Sequence, residues 1–262
     1  MFNLKNGVRL FLASSFLLVA TALPSYSQTA PKSERLLITV VNIKPELVTE
    51  YEAFVKGETI PAMQKAGVKW RDAWVNGVFG PSYQYVYVQP IENFSEFDSA
   101  APMERALGKE AYAAWLAKSR KFQTGLKRYV VNTRPDLSYV TGPIAFGTVA
   151  VVSHATAAPG RTAEVETWVK NDLLPAMRQS KVPGYHVSQV SLGGNANEYV
   201  TLVLHTNMAE LEKGPPVYRI MSKEAGDALY AKLAVGALTN VERYVARLSA
   251  DLSFRSATTA TK

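Results

Sequence analysis

The chain alternates short β-branched apolar runs with longer stretches in which apolar residues recur every three or four positions. Residues 36–43, LLITVVNI, are bounded by Lys44 and Pro45 and predict a first strand. Pro45 suits the first turn of a helix, and Leu47, Tyr51, Phe54, Val55, Ile60 and Met63 then fall on one helical stripe. Pro61 sits inside that stripe, removes a backbone donor and predicts a kink. Residues 70–79 and 83–88 predict two strands joined as a hairpin at Gly80 and Pro81. A short helix near residues 94–99 and a longer one carrying Leu107, Tyr112, Trp115 and Leu116 follow, and residues 128–133 predict a last strand.

The pattern then starts again. YEAFVK at 51–56 recurs as VETWVK at 165–170, PAMQKAGV at 61–68 as PAMRQSKV at 175–182, and GKEAYAAWLAK at 108–118 as SKEAGDALYAK at 222–232, each 114 positions later. RYV at 128 and DLSY at 136 recur as RYV at 243 and DLSF at 251, 115 positions later, so one residue is inserted between Lys232 and Arg243. Matches in constant order at a nearly constant spacing imply duplication of a domain-sized unit, because solenoid repeats are only about 20–50 residues long. In the second copy the helical stripe is Val165, Trp168, Val169, Leu173 and Met177, with the proline repeated as Pro175. Its hairpin runs 185–192, turns on Gly193, Gly194 and Asn195, and returns over 198–205.

The order β-α-β-β-α-β is the split βαβ arrangement, a ferredoxin-like antiparallel sheet with both helices on one face. Val86, Val88, Tyr129 and Val131 leave the other face apolar, and a bare face of that kind is an association surface. The expected fold is therefore α+β, two tandem ferredoxin-like (βαββαβ) repeats packed sheet to sheet as an internal pseudo-dimer.

The ends and the composition narrow the context. Lys5 and Arg9 precede an uncharged apolar run from 10 to 23, followed by Pro24, Ser25, Tyr26 and Ser27. That order is a secretory signal peptide, and the run falls short of the roughly 20 residues that span a bilayer. The expected layout is a signal peptide over 1–27, a linker over 28–35, repeats over 36–142 and 143–254, and a disordered tail over 255–262. The mature chain is then exported, periplasmic or secreted in a bacterial envelope, with no stable membrane anchor after cleavage. The absence of cysteine removes disulfides, thiol catalysis and thiolate metal sites together. Of the formal charge of +7, the signal carries two bases, and the remaining excess is spread along both halves. Nucleic-acid binding needs a clustered basic stripe, and none is present.

The two helices YEAFVKGETIPAM and VETWVKNDLLPAM, each followed by an aromatic hairpin, resemble the dimeric α+β barrel superfamily, especially its NIPSNAP-like and antibiotic-biosynthesis-monooxygenase-like branches. The resemblance covers both repeats and implies a fused pseudo-dimer with a pocket in each half between helices and sheet. It also implies a choice among cofactor-free oxygenases, haem-degrading enzymes, haem peroxidases and members without a known reaction. Haem-degrading members resemble one another in an asparagine, tryptophan and histidine set, of which the first repeat offers Asn42 and Trp74 but no histidine. No cofactor and no metal are expected, with haem left open.

Zinc-peptidase, serine-hydrolase and nucleotide-binding readings lack their motifs, since no HExxH, GxSxG, Walker loop or GxGxxG opening a helix occurs. The only histidines, His154, His186 and His205, lie in strands of the second repeat. An even-numbered loop in the second hairpin puts His186 and His205 diagonally on one face, and an odd one puts them on opposite faces. Arg128–Tyr129 and Arg243–Tyr244 recur at the last strand of each repeat, and an arginine beside an aromatic can hold a carboxylate by paired hydrogen bonds. Trp70, Trp74, Tyr83, Tyr85, Tyr87, Tyr112 and Trp115 crowd the first repeat and suit either a core or the wall of an apolar cavity. The candidate ligand residues are thus His186, His205, Tyr185 and Arg243 in the second repeat and Trp70, Trp74 and Arg128 in the first. Three functions compete: binding of a small hydrophobic or aromatic ligand, cofactor-independent monooxygenase-like chemistry on such a molecule, and an assembly module whose pockets are filled by its own side chains.

Overall fold

The computed structural model describes residues 32–255. The signal peptide expected over 1–27, residues 28–31 of the expected linker and residues 256–262 of the expected tail lie outside the described residues. Strand β1 (Arg35–Ile43) leads through a short 3-10 turn into helix α1 (Val48–Phe54), a π-helical turn (Val55–Thr59) and helix α2 (Ile60–Lys65). Strands β2 (Trp70–Asn76) and β3 (Gln84–Pro90) form the hairpin, helices α3 (Pro102–Leu107) and α4 (Lys109–Phe122) follow, and β4 (Gln123–Thr133) closes the first half. A two-residue strand β5 (Tyr139–Val140) precedes the second series. That series is β6 (Val149–Ala157), α5 (Thr162–Trp168), a second π-helical turn (Val169–Leu173), α6 (Leu174–Gln179), β7 (Gly184–Leu192), β8 (Glu198–His205), α7 (Lys223–Ala231) and β9 (Leu238–Leu248). A final short strand, β10 (Phe254–Arg255), pairs with β2.

The strands run β2-β3-β1-β4-β7-β8-β6-β9, and β9 pairs back onto β2. This differs from two separate sheets stacked face to face. The halves join edge to edge at two seams, Val130–Thr133 against Ser188–Leu192 and Trp74–Asn76 against Ala246–Leu248, making a closed eight-stranded antiparallel barrel. Closure gives every edge strand a partner for its backbone N–H and C=O groups, which face-to-face stacking would have left open. At the second seam the β2–β3 hairpin reaches over β9, with the Val245 N–H donating to the Phe79 carbonyl. Gly80 makes this approach feasible, because a Cβ there would stand 2.3 Å from Tyr244 Cβ.

Because side chains alternate along each strand, one set points into the barrel and the other towards the helices outside. The interior set includes Ile38, Trp74, Val86, Tyr129, Val131, Val152, Leu204 and Leu248. Outside, Val41, Tyr51, Phe54, Tyr85, Tyr87 and Phe122 form the helix-facing core of the first half, and Val165, Leu173, Met177, Tyr185 and Tyr199 that of the second.

Ahead of Pro61 and Pro175 the chain makes a π-helical turn in place of a simple proline kink. The Ile60 N–H reaches the Val55 carbonyl, five residues back, so the wider turn takes up the strain of a residue that lacks a donor and crowds the preceding turn. The ends also differ from expectation. Arg35, assigned to the linker, opens β1, and Arg255, assigned to the tail, is ordered in β10 because its guanidinium forks onto the Asp72 carboxylate.

Severing the chain between 142 and 143 exposes both seams and the apolar barrel lining. Expressed separately, segments 36–142 and 143–254 are expected to self-associate, and sedimentation of either as a stable, cooperatively folded monomer would contradict the closed-barrel account.

Candidate functional site

Among the described residues the alternation of side chains leaves a cavity inside the barrel and one under the helices of each half. The barrel cavity encloses about 900 Å³. Its walls are Leu36, Ile38, Val86, Val88, Val131, Val152 and Leu202, joined by Trp70, Trp74, Tyr129 and Tyr244. Exposed Glu34, Lys69, Val140, Gly142 and Pro143 border it at one end, which is therefore its mouth. At that mouth the Arg255 guanidinium donates to both oxygens of Asp72 at 2.9 and 3.0 Å and to the Ile144 carbonyl at 2.9 Å. The opposite end is sealed by polar pairs. Asn76 donates to Gln84 at 2.8 Å and Gln84 to Asn42 at 3.1 Å, while His154 Nδ1 meets Glu198 at 2.6 Å and its Nε2 lies 3.3 Å from the Tyr244 hydroxyl.

Under the helices of the second half lies a cavity of about 570 Å³, lined by Val165, Trp168, Leu173, Met177, Tyr185, His205, Tyr230 and Arg243. Glu166 on its wall accepts the Tyr199 hydroxyl at 2.6 Å and is forked by Arg134, which also binds Asp136. Arg134 holds the Glu166 carboxyl below its usual range, and burial, with Glu166 beside it, raises the Tyr199 phenol. The first half repeats one contact at a spacing of 114, Tyr85 donating to Glu52 at 2.7 Å. Its own cavity under the helices measures about 450 Å³ and is lined by Thr39, Tyr51, Phe54, Arg71, Tyr112, Trp115, Arg120 and Arg128 among others.

The residues singled out from the sequence fall into all three. Trp70, Trp74 and His186 line the barrel cavity, Tyr185, His205 and Arg243 line the second-half cavity, and Arg128 lines that of the first half. A joint site of His186 and His205 is therefore ruled out. His186 pairs with Leu202 and Tyr185 with Val203, so the hairpin is centred on Gly194 and its loop is odd-numbered. That one-residue difference places the two imidazoles on opposite faces of the sheet. Gly184 leaves room for the His186 ring to fold back, since a Cβ there would lie 3.2 Å from Nε2.

The asparagine, tryptophan and histidine set associated with haem degradation is not assembled. Asn42 is engaged by Gln84 at the sealed end of the barrel, whereas His186 stands among the mouth residues Pro135, Ser138 and Val140. Among the described residues no group of three or more His, Cys, Asp or Glu side chains could hold a metal ion. An assembly module would need filled pockets, and the three cavities leave that condition unmet.

Two features escaped sequence reading. Arg71 and Asp72, adjacent in the run WRDAWVN, are both buried and belong to different cavities, Arg71 under the helices and Asp72 in the barrel. A charged pair inside an otherwise aromatic and apolar strand was the available signal. Glu166 and Tyr199 come together only through the packing of α5 on β8, 33 residues apart in sequence.

No family model matches the chain, and no curated protein matches it in sequence. Solved structures do resemble it. A putative monooxygenase from Lactobacillus acidophilus superposes with a TM-score of 0.53 at 11% identity, covering 86% of this chain and 100% of that one. An anthrone oxidase-like protein gives 0.51 at 12% identity over 87% and 95%. A mutant chlorite dismutase from Candidatus Nitrospira defluvii in complex with cyanide gives 0.51 at 10% identity over 85% and 93%. At such identity these likenesses show the fold alone, an α+β antiparallel barrel.

Burial pushes the imidazoles of both His186 and His205 below their ordinary value, and Arg219 depresses His205 further. Each has a ring nitrogen that is sealed from solvent and finds no partner among the described residues. The unfolded chain takes up protons at the ordinary histidine value of about 6.5, whereas the folded chain does so only at lower pH. Stability contributed by the neutral rings is thus complete above about pH 6.5 and declines as pH falls towards the lowered folded values, by up to about 1.4 kcal/mol per histidine per pH unit. Melting curves between pH 7.5 and 5.5 should show that decline in the parent protein and a flatter profile in the His186→Gln, His205→Gln double variant.

Proposed function

We propose that this chain is an exported binding protein of the bacterial envelope for a small hydrophobic or aromatic molecule. In this reading a duplicated ferredoxin-like unit, fused in tandem as an internal pseudo-dimer, holds the ligand inside the barrel. The observation that carries the reading is the barrel cavity of about 900 Å³, apolar along its walls and polar at its mouth. Ligand pockets are about 300–1,000 Å³, mostly apolar, with a few polar groups that fix orientation. Trp70 and Trp74 supply large flat surfaces, and His186, Lys69 and the Asp72–Arg255 pair offer polar contacts where the ligand meets water. The repeat at a spacing of 114, now also seen in the paired π-helical turns and the paired Tyr–Glu bonds, supports the duplication.

A second reading, a cofactor-independent monooxygenase-like enzyme, is favoured by the second-half cavity. There His205 is buried and lowered towards its neutral form, as a general base near neutral pH requires, and Tyr185 and Arg243 share the wall with it. Its substrate would be a small aromatic molecule, and the likeness to an anthrone oxidase-like protein lends support through the fold alone.

Native mass spectrometry of protein purified from the envelope of its own host tests the first reading in one spectrum. A chain starting at Gln28 with added ligand mass is the expected result. With the uncharged probe N-phenyl-1-naphthylamine, the tryptophan emission of the purified protein should be quenched at about one probe per chain, and Leu202→Trp, which fills the barrel wall, should abolish the binding. A processed chain that carries no ligand and leaves the probe unbound overturns the barrel reading, and oxygen uptake with an anthrone that is lost in His205→Gln would then favour the second.

A further inference from the structure

The cavity under the first-half helices contains a buried positive charge without a counter-charge. Arg71 is 7% exposed, and its Nε and Nη1 are sealed from solvent with no acceptor among the described residues. Its guanidinium carbon lies 3.7 Å from the centre of the Tyr87 ring, and the Tyr87 hydroxyl is 2.8 Å from that of Tyr51. Neither phenol can neutralise it. Burial raises both Tyr51 and Tyr87 above the ordinary tyrosine value, so both remain uncharged at neutral pH.

The rest of the lining sharpens the imbalance. Arg128 and Arg120 also face this cavity, whereas its one acidic lining residue, Glu96, accepts from the backbone N–H groups of Glu92 and Asn93 as the cap of a 3-10 turn. Asp72, next in sequence to Arg71, points through the sheet into the barrel and is bound by Arg255. A buried guanidinium ordinarily has a carboxylate or phosphate partner, because leaving its donors unmade carries the full cost of desolvation. The wall opposite is aromatic and apolar, with Phe54, Tyr112, Trp115 and Met103.

We infer that the first-half cavity is an organic-anion site, in which Arg71, with Arg128 at the rim, receives the carboxylate or phosphate of a small molecule whose aromatic or aliphatic body packs against Trp115 and Phe54. A planar guanidinium stacked on an aromatic ring keeps its edge free for two parallel hydrogen bonds to such a group. The cavity of about 450 Å³ accommodates a single-ring acid, and exposed Phe97, Ser99 and Arg128 in its lining give an entry from solvent. The second half keeps the rim arginine as Arg243 but has Tyr185 at the position 114 after Arg71, so only the first-half cavity carries the buried cation.

This site is separate from the barrel cavity, and its test is independent of that reading. The full-length mature protein is titrated with benzoate, with phenyl phosphate and with uncharged benzyl alcohol, following Trp115 emission and melting temperature. Benzoate or phenyl phosphate should bind and raise the melting temperature, which of the two binds tighter identifies the head group, and benzyl alcohol should do neither. Arg71→Met should raise the melting temperature of the ligand-free protein by relieving an uncompensated charge, and should weaken the anion by roughly tenfold or more. Binding of N-phenyl-1-naphthylamine in the barrel should be unchanged in that variant. Should Arg71→Met fail to fold, Arg128→Gln, at an exposed position, should still weaken the anion several-fold. Absence of binding by both anions, or anion binding that survives these substitutions undiminished, overturns the inference.

Discussion

Closure of the barrel is the constraint on which the other features rest. A four-stranded sheet with helices on one face leaves two edges of unpaired backbone groups and one bare apolar face, and each half of this chain has that shape. Pairing of β4 with β7 and of β2 with β9 satisfies both edges and turns both bare faces inward at once. The curvature needed for closure keeps the facing strands apart, so the apolar lining encloses a void where stacked sheets would have interdigitated. The ring also fixes which residues look inward, and therefore which chemistry each cavity receives.

Much of this was legible in the sequence. The run LLITVVNI and the hairpin around Gly80 marked their strands to within a few residues, and the order of elements gave the helix-bearing face. Edge-to-edge joining was not legible, because burial of an apolar face reads the same whether sheets stack or close into a ring. The π-helical turns before Pro61 and Pro175 were visible only as a disturbance, since a proline announces a missing hydrogen bond without saying how the chain repairs it.

The candidate site was harder to read, for a reason of parity. Side-chain direction in a hairpin depends on whether its loop has an odd or even number of residues, and the run LGGNAN around Gly194 supports either count. His186 and His205 therefore stand in separate cavities although the sequence brings them to one hairpin. Arg71 was overlooked because an arginine in a strand most often reaches water at an edge. Here β2 is covered by helices on one face and lines the barrel on the other, so Arg71 and Asp72 are both buried.

The barrel wall is one residue thick, and that gives each strand two addresses. Along β2, Trp70, Asp72 and Trp74 belong to the inner chamber, while Arg71, Ala73 and Val75 belong to the outer one. Substitutions one position apart thus act on different cavities, and selection on odd positions can proceed without disturbing even ones. A chain built this way has, interleaved letter by letter, two nearly independent texts: one written for the ring, the other for the chambers beneath the helices.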